Sequence, residues 1–74
     1  MNATIDRFES GWIALSISID TDEVDALISR LQELKAGASA HFHIRNNDFD
    51  GVPGVADIEL SMTGDGPRGS MVLE

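Results

Sequence analysis

The sequence contains no cysteine and no tyrosine, a single tryptophan, and five basic residues against thirteen acidic ones. Each scarcity excludes something. Without cysteine no disulfide can reinforce a small core, a usage that fits the reducing cytoplasm. No apolar run approaches the roughly 20 residues that a bilayer requires. The start MNATIDRFES lacks the basic-then-apolar order of a secretory signal. A cytoplasmic location is therefore the expectation. The shortage of basic residues leaves a net charge of −8 and a pI near 4.4. Nucleic acids and anionic membranes repel such a surface, whereas basic proteins are steered toward it. The same charge also keeps a small protein soluble.

Length adds a further limit. A chain of 74 residues hides only roughly 60–65% of its unfolded surface, so residues 1–74 make one domain with a thin core.

What is present is a sequence of clear periodicities. GWIALSISI (11–19) alternates, with Ile13, Leu15, Ile17 and Ile19 on one face and Trp12, Ala14, Ser16 and Ser18 on the other. Period two with β-branched residues predicts a half-buried strand. In DTDEVDALISRLQELKAG the period changes, and Val24, Leu27, Ile28, Leu31 and Leu34 recur at steps of three and four. That is one stripe of a helix over 22–36. Asp20 or Thr21 can cap it, Glu23 completes a capping box with Asp20, Lys35 favours its end and Gly37 offers a left-handed stop. SAHFHIR (39–45) and VADIELSM (55–62) alternate again and flank a stretch rich in turn formers, which predicts an antiparallel hairpin. TIDRF (4–8) can pair with the first strand across Ser10-Gly11, and SMVL (70–73) can add an edge strand.

These elements predict an α+β fold with a β-α-β-β core order. One helix packs on one face of a three- to five-stranded mixed sheet, with a right-handed crossover between the first strand and residues 39–45. The opposite face then carries Trp12, Ser16, Ser18, His41, His43, Arg45, Asp57, Glu59 and Ser61, and function is expected there.

Two stretches invite a metal. Residues 46–57 match the spacing of a calcium loop, with Asn46, Asp48, Asp50 and Gly51 at positions 1, 3, 5 and 6 and Asp57 at position 12. Three features oppose it: a neutral amide at the first position, Asp57 one methylene shorter than the usual bidentate Glu, and Pro53 within the loop. The flanks also alternate like strands. A hairpin connection accounts for the stretch better.

His41-x-His43 is the other. Keeping the apolar rows together restricts the hairpin to even registers. Pairing Arg45 with Val55 sets His43 opposite Asp57 and His41 opposite Glu59; a slip of two leaves His41 facing Asp57 or His43 facing Glu59. Every such register sets a histidine against a carboxylate. Two imidazoles about 7 Å apart on one strand face can chelate a metal with Asp57 or Glu59. A histidine oriented by a carboxylate can also act as a base, but that needs a nucleophile and a pocket; Ser16 or Ser18 could neighbour it. An ion-paired, solvated sheet face open to a partner is the simplest account, and neither metal nor cofactor is expected. Trp12, on the same face, has the character of an interface anchor.

Across DEVDALISRLQELKAGASAHFHIRNNDFDGVPGVADIEL, roughly residues 22–60, the chain resembles small immunity proteins of bacterial polymorphic toxin systems, in particular the immunity protein thirty-two family. The resemblance rests on the Leu-Ile-x-x-Leu-x-x-Leu-Lys helix, the glycine turn, the His41-Phe42-His43 strand and the acidic or amide loop that follows. The loop NNDFDGVPG departs from the family in lacking its tryptophan–glycine element. The resemblance implies a non-enzymatic cytoplasmic protein that binds and blocks one toxin domain. A basic toxin would suit the acidic surface. The residues expected to meet that partner are Trp12, His41, His43, Asp48, Asp50, Asp57 and Glu59. Two alternatives stand beside it: a homo-oligomeric accessory domain that pairs through its own open face, and a metal-binding protein built on His41 and His43 with Asp57 and Glu59.

Overall fold

The chain runs β1 (Asn2–Arg7), β2 (Ile13–Ser18), α1 (Thr21–Ala36), β3 (His41–Arg45) and β4 (Asp57–Ser61), in a computed structural model that describes residues 1–47, 54–63 and 69–74. The helix begins at Thr21, one residue before the predicted start, and ends at Ala36 as predicted. Asp20 is its N-cap; its carboxylate accepts from the Glu23 N–H at 2.8 Å, while the Glu23 carboxylate accepts from the Asp20 N–H at 3.1 Å. The two groups satisfy each other's orphan donors, which is why the helix starts here and not a residue later. It stops at Gly37, left-handed at φ 78°. The Gly37 N–H bonds the Leu34 carbonyl, and the Ala38 N–H reaches back to Glu33 at 3.0 Å. This paired closure is the Schellman arrangement.

The Met1 ammonium lies 2.8 Å from the Glu23 carboxylate. That bond first, and the Asp20 backbone N–H second, hold the Glu23 carboxyl below the usual glutamate range.

β1 and β2 form an antiparallel hairpin, with Ala3 opposite Ile17, Ile5 opposite Leu15 and Arg7 opposite Ile13. Its loop is Glu9-Ser10-Gly11: the Phe8 N–H donates to Trp12 at 2.9 Å and the Gly11 N–H to Phe8 at 3.0 Å. Gly11 takes φ 93°, the left-handed position that a three-residue hairpin loop reserves for glycine. β3 and β4 form a second antiparallel hairpin, with Phe42 opposite Leu60, Ile44 opposite Ile58, His43 opposite Glu59 and Arg45 opposite Asp57.

The expectation of one mixed sheet does not hold. The described strands make two separate two-stranded sheets, β1–β2 and β3–β4. No crossover ladder joins β2 to β3, and residues 70–73 carry no strand. The reason is physical. Each hairpin satisfies its ladder with its immediate neighbour, where loop closure is short; alternation specifies which face is apolar but not which strand lies alongside.

The core is correspondingly small. Leu34 on α1 and Phe42 on β3 are the two buried hydrophobic residues among those described, one from each of two elements that meet. The Arg30 guanidinium covers the Phe42 ring at 5.8 Å. Elsewhere the apolar stripes are open: Ile13, Leu15, Ile17, Val24, Ile28 and Leu31 are each 37–53% exposed. The chain exposes 6735 Å², about one and a half times the roughly 4,500 Å² of a compact chain of its mass. Its radius of gyration is 14.2 Å, against roughly 11 Å for a compact chain of this length.

Candidate functional site

The polar face of the β3–β4 hairpin gathers the chemistry. β3 presents His41, His43 and Arg45 to one side while Phe42 and Ile44 point to the other, because successive side chains alternate. β4 presents Asp57, Glu59 and Ser61 to the same side as the histidines, since directly opposed residues share a face. The register is the one in which His43 faces Glu59, two residues from the pairing of Arg45 with Val55.

The contacts here are diagonal as well as direct. His43 Nδ1 lies 3.0 Å from both carboxylate oxygens of Asp57, one register step away from its direct partner Glu59. Arg45, which directly opposes Asp57, approaches the same carboxylate at 3.5 Å. Asp57 is thus shared between an imidazole and a guanidinium. His41 and His43 meet edge to face, with ring centroids 5.1 Å apart. One ligand atom from each of His41, His43 and Glu59 can be chosen so that all three lie within 4.8 Å of one another. His43 is half-buried, and His41 and Glu59 are exposed.

Of the residues singled out in the sequence, His41, His43, Asp57 and Glu59 come together. Trp12 does not join them. It stands at the β1–β2 turn, one residue before β2 begins, and is 77% exposed; the single polar sheet face that would have united it with the histidines does not form. Asp48 and Asp50 lie outside the described residues. The ends of the supposed calcium loop are occupied by hairpin interactions: the Asn46 N–H donates to Ala56 at 2.9 Å and its side-chain amide to the Val55 carbonyl at 3.4 Å, while Asp57 faces His43. Ser16 and Ser18 belong to the β1–β2 sheet, and no described hydrogen bond joins either hydroxyl to a histidine.

Two features escaped the sequence reading. The register first considered sets Arg45 opposite Val55, whereas in the structure Arg45 directly opposes Asp57. An open cleft of about 770 Å³ also separates the hairpins, lined in part by Ala3, Thr4, Ile17, Ile44, Val55 and Ile58. Periodicity marks Ile17, Ile44 and Ile58 as apolar but assigns them to a helix-covered layer. Comparison with known proteins finds no matching family model, no similar curated protein and no similar solved structure.

Proposed function

We propose that the chain is a non-enzymatic, acidic protein-binding domain of the immunity type, which acts in the cytoplasm by covering a basic toxin domain. The observation that carries this reading is the uncovered apolar surface of β2 and α1. Ile13, Leu15 and Ile17 on β2 and Val24, Ile28 and Leu31 on α1 are each 37–53% exposed, and a standard interface takes roughly 800 Å² from one partner. Covering this surface with a partner supplies the burial that the monomer lacks. The charge of −8 favours a basic partner and speeds its encounter. In this reading Trp12 is the apolar anchor beside the open β2 row. His41, His43, Asp57 and Glu59 on the second hairpin are a separate charged contact for the partner, and Asp48 and Asp50, which lie outside the described residues, add acidic charge.

The test starts from the gene neighbourhood: a toxin gene immediately upstream is expected, and its product should bind this chain, whereas no such gene and no co-purifying basic protein would overturn the proposal. Stoichiometric binding that abolishes toxicity and is lost in Leu15→Glu and Trp12→Glu supports the proposal. A chain that leaves the toxin fully active overturns it.

A second reading, a homo-oligomer with no inhibitory role, is favoured by the same small core: a second copy can equally cover the β2–α1 surface. Light scattering after size exclusion separates the two. A dimer that Leu15→Glu reduces to a monomer supports self-assembly, and a monomer across the micromolar range removes it.

A further inference from the structure

We propose that His41, His43 and Glu59 form a binding site for a borderline divalent transition-metal ion, with zinc the best match. Asp57 acts as the positioning residue behind His43. The inference is independent of any protein partner.

The ligand set has the right chemistry. Two imidazoles and one carboxylate are a known zinc donor set, and they leave a further position for water or another ligand. Zinc bonds to imidazole nitrogen at roughly 2.0–2.1 Å and to carboxylate oxygen at roughly 2.0–2.2 Å, so tetrahedral ligand atoms stand about 3.3–3.5 Å apart. One potential ligand atom from each of the three residues can be chosen so that all lie within 4.8 Å of one another. The remaining gap, about 1.5 Å at most, is within reach of side-chain rotation, because His41 and Glu59 are exposed and the one described ring contact of His41 is with His43 itself.

The second observation is the orientation of His43. Its Nδ1 is held at 3.0 Å from both Asp57 oxygens, and when Nδ1 carries the proton, Nε2 keeps a lone pair directed away from Asp57. This is the carboxylate–histidine arrangement that fixes the tautomer of a metal-bound imidazole and raises its basicity. Arg45 shares the Asp57 carboxylate, which discourages Asp57 from leaving His43 to become a ligand itself. Glu59, with no described ion pair, is the carboxylate left to bind. The strand frame adds rigidity. His41 and His43 are two residues apart on β3, and Glu59 directly opposes His43 on β4, so the backbone presets all three donors on one face.

The experiment is calorimetric titration of the full chain with zinc chloride, with circular dichroism confirming that each variant keeps its helix. One ion per chain should bind, and calcium or magnesium should not compete, since both prefer all-oxygen sites. His41→Ala and Glu59→Gln should each weaken zinc binding at least tenfold. His41→Ala/His43→Ala removes both histidines in the sequence and should abolish it. Asp57→Asn keeps every ligand, yet should weaken binding by about 10–100-fold, the usual effect of losing such a support. Loaded wild-type protein should also show shifted ring signals for both histidines in its NMR spectrum. Zinc binding that persists undiminished in the double histidine variant, or wild-type binding no tighter than millimolar, overturns the proposal. An unchanged affinity in Asp57→Asn overturns the positioning role.

Discussion

The two hairpins are written in nearly the same code and end in different situations. β1–β2 and β3–β4 are both antiparallel pairs with an apolar row on one face and polar residues on the other. In β3–β4 the apolar row includes Phe42, which is buried, and β3 meets the helix that contributes buried Leu34. In β1–β2 the equally apolar row Ile13, Leu15 and Ile17 remains about half exposed. An apolar row therefore records a demand for cover without saying what supplies it. In one hairpin α1 meets that demand. In the other no described element does, and this asymmetry is the reason for proposing a partner.

The comparison can be broken by truncating one residue on each side. Phe42→Ala should destabilise the protein by about 3–5 kcal/mol, the usual effect of emptying a buried aromatic site. Leu15→Ala, on a half-exposed row, should change monomer stability by no more than about 0.5 kcal/mol. Denaturant unfolding of both variants measures the difference. If Leu15→Ala costs as much as Phe42→Ala in purified protein, the β2 row is already covered in solution and a second copy is the cover.

A glycine on each side sharpens the same contrast. No heavy atom would meet an added Cβ within 4 Å at Gly37 or Gly11, so alanine there introduces only the left-handed backbone strain, about 1–2 kcal/mol. Gly37→Ala should lower the stability of the helix and of the covered hairpin together. Gly11→Ala should act on the open hairpin alone, releasing β1–β2 amides to hydrogen exchange while β3 amides keep their protection. Loss of β3 protection in Gly11→Ala would mean that the hairpins unfold as one unit.

Between the two regions lies the helix start. Asp20→Ala should cost about 1 kcal/mol through loss of the cap, read as a lower denaturation midpoint.

The smallest effect is that of pH on Glu23. Its carboxyl is held low by the Met1 ammonium and the Asp20 N–H, so it releases its proton more readily in the folded chain than in the unfolded one. The stabilisation is present at neutral pH, above the unfolded value, and is lost as the pH falls through the lower folded value. Helicity followed by circular dichroism during acid titration should show this step, and Glu23→Gln should remove it. Blocking the Met1 amine should move the step toward the ordinary glutamate range.

Much of the local structure was legible beforehand, for identifiable reasons. The capping box at Asp20 and Glu23 and the left-handed Gly37 act within a few residues, so the helix could be placed to within one position. Ser10-Gly11 marked a tight turn, and the pairing of β1 with β2 followed from it. For β3–β4, matching the apolar rows restricted the pairing to a few even registers, but which one formed was beyond the sequence pattern. That choice sets His43 against Glu59 and leaves Asp57 to be shared with Arg45. Placing Trp12 with the histidines requires a single sheet, and no signal within a few residues of Trp12 argues against one.

By itself the sequence determined where the helix begins and ends, which residues alternate into strands, and that acids and histidines share one face of the second hairpin. Those outcomes depend on caps, turns and side-chain period, all acting over a few residues. Only the tertiary structure decided that the four strands divide into two sheets, that Leu34 and Phe42 alone become buried among the described residues, and that the β2 row is left open. Such choices are made between segments distant in the chain, where several pairings satisfy the same local pattern and the balance of burial against loop closure selects one.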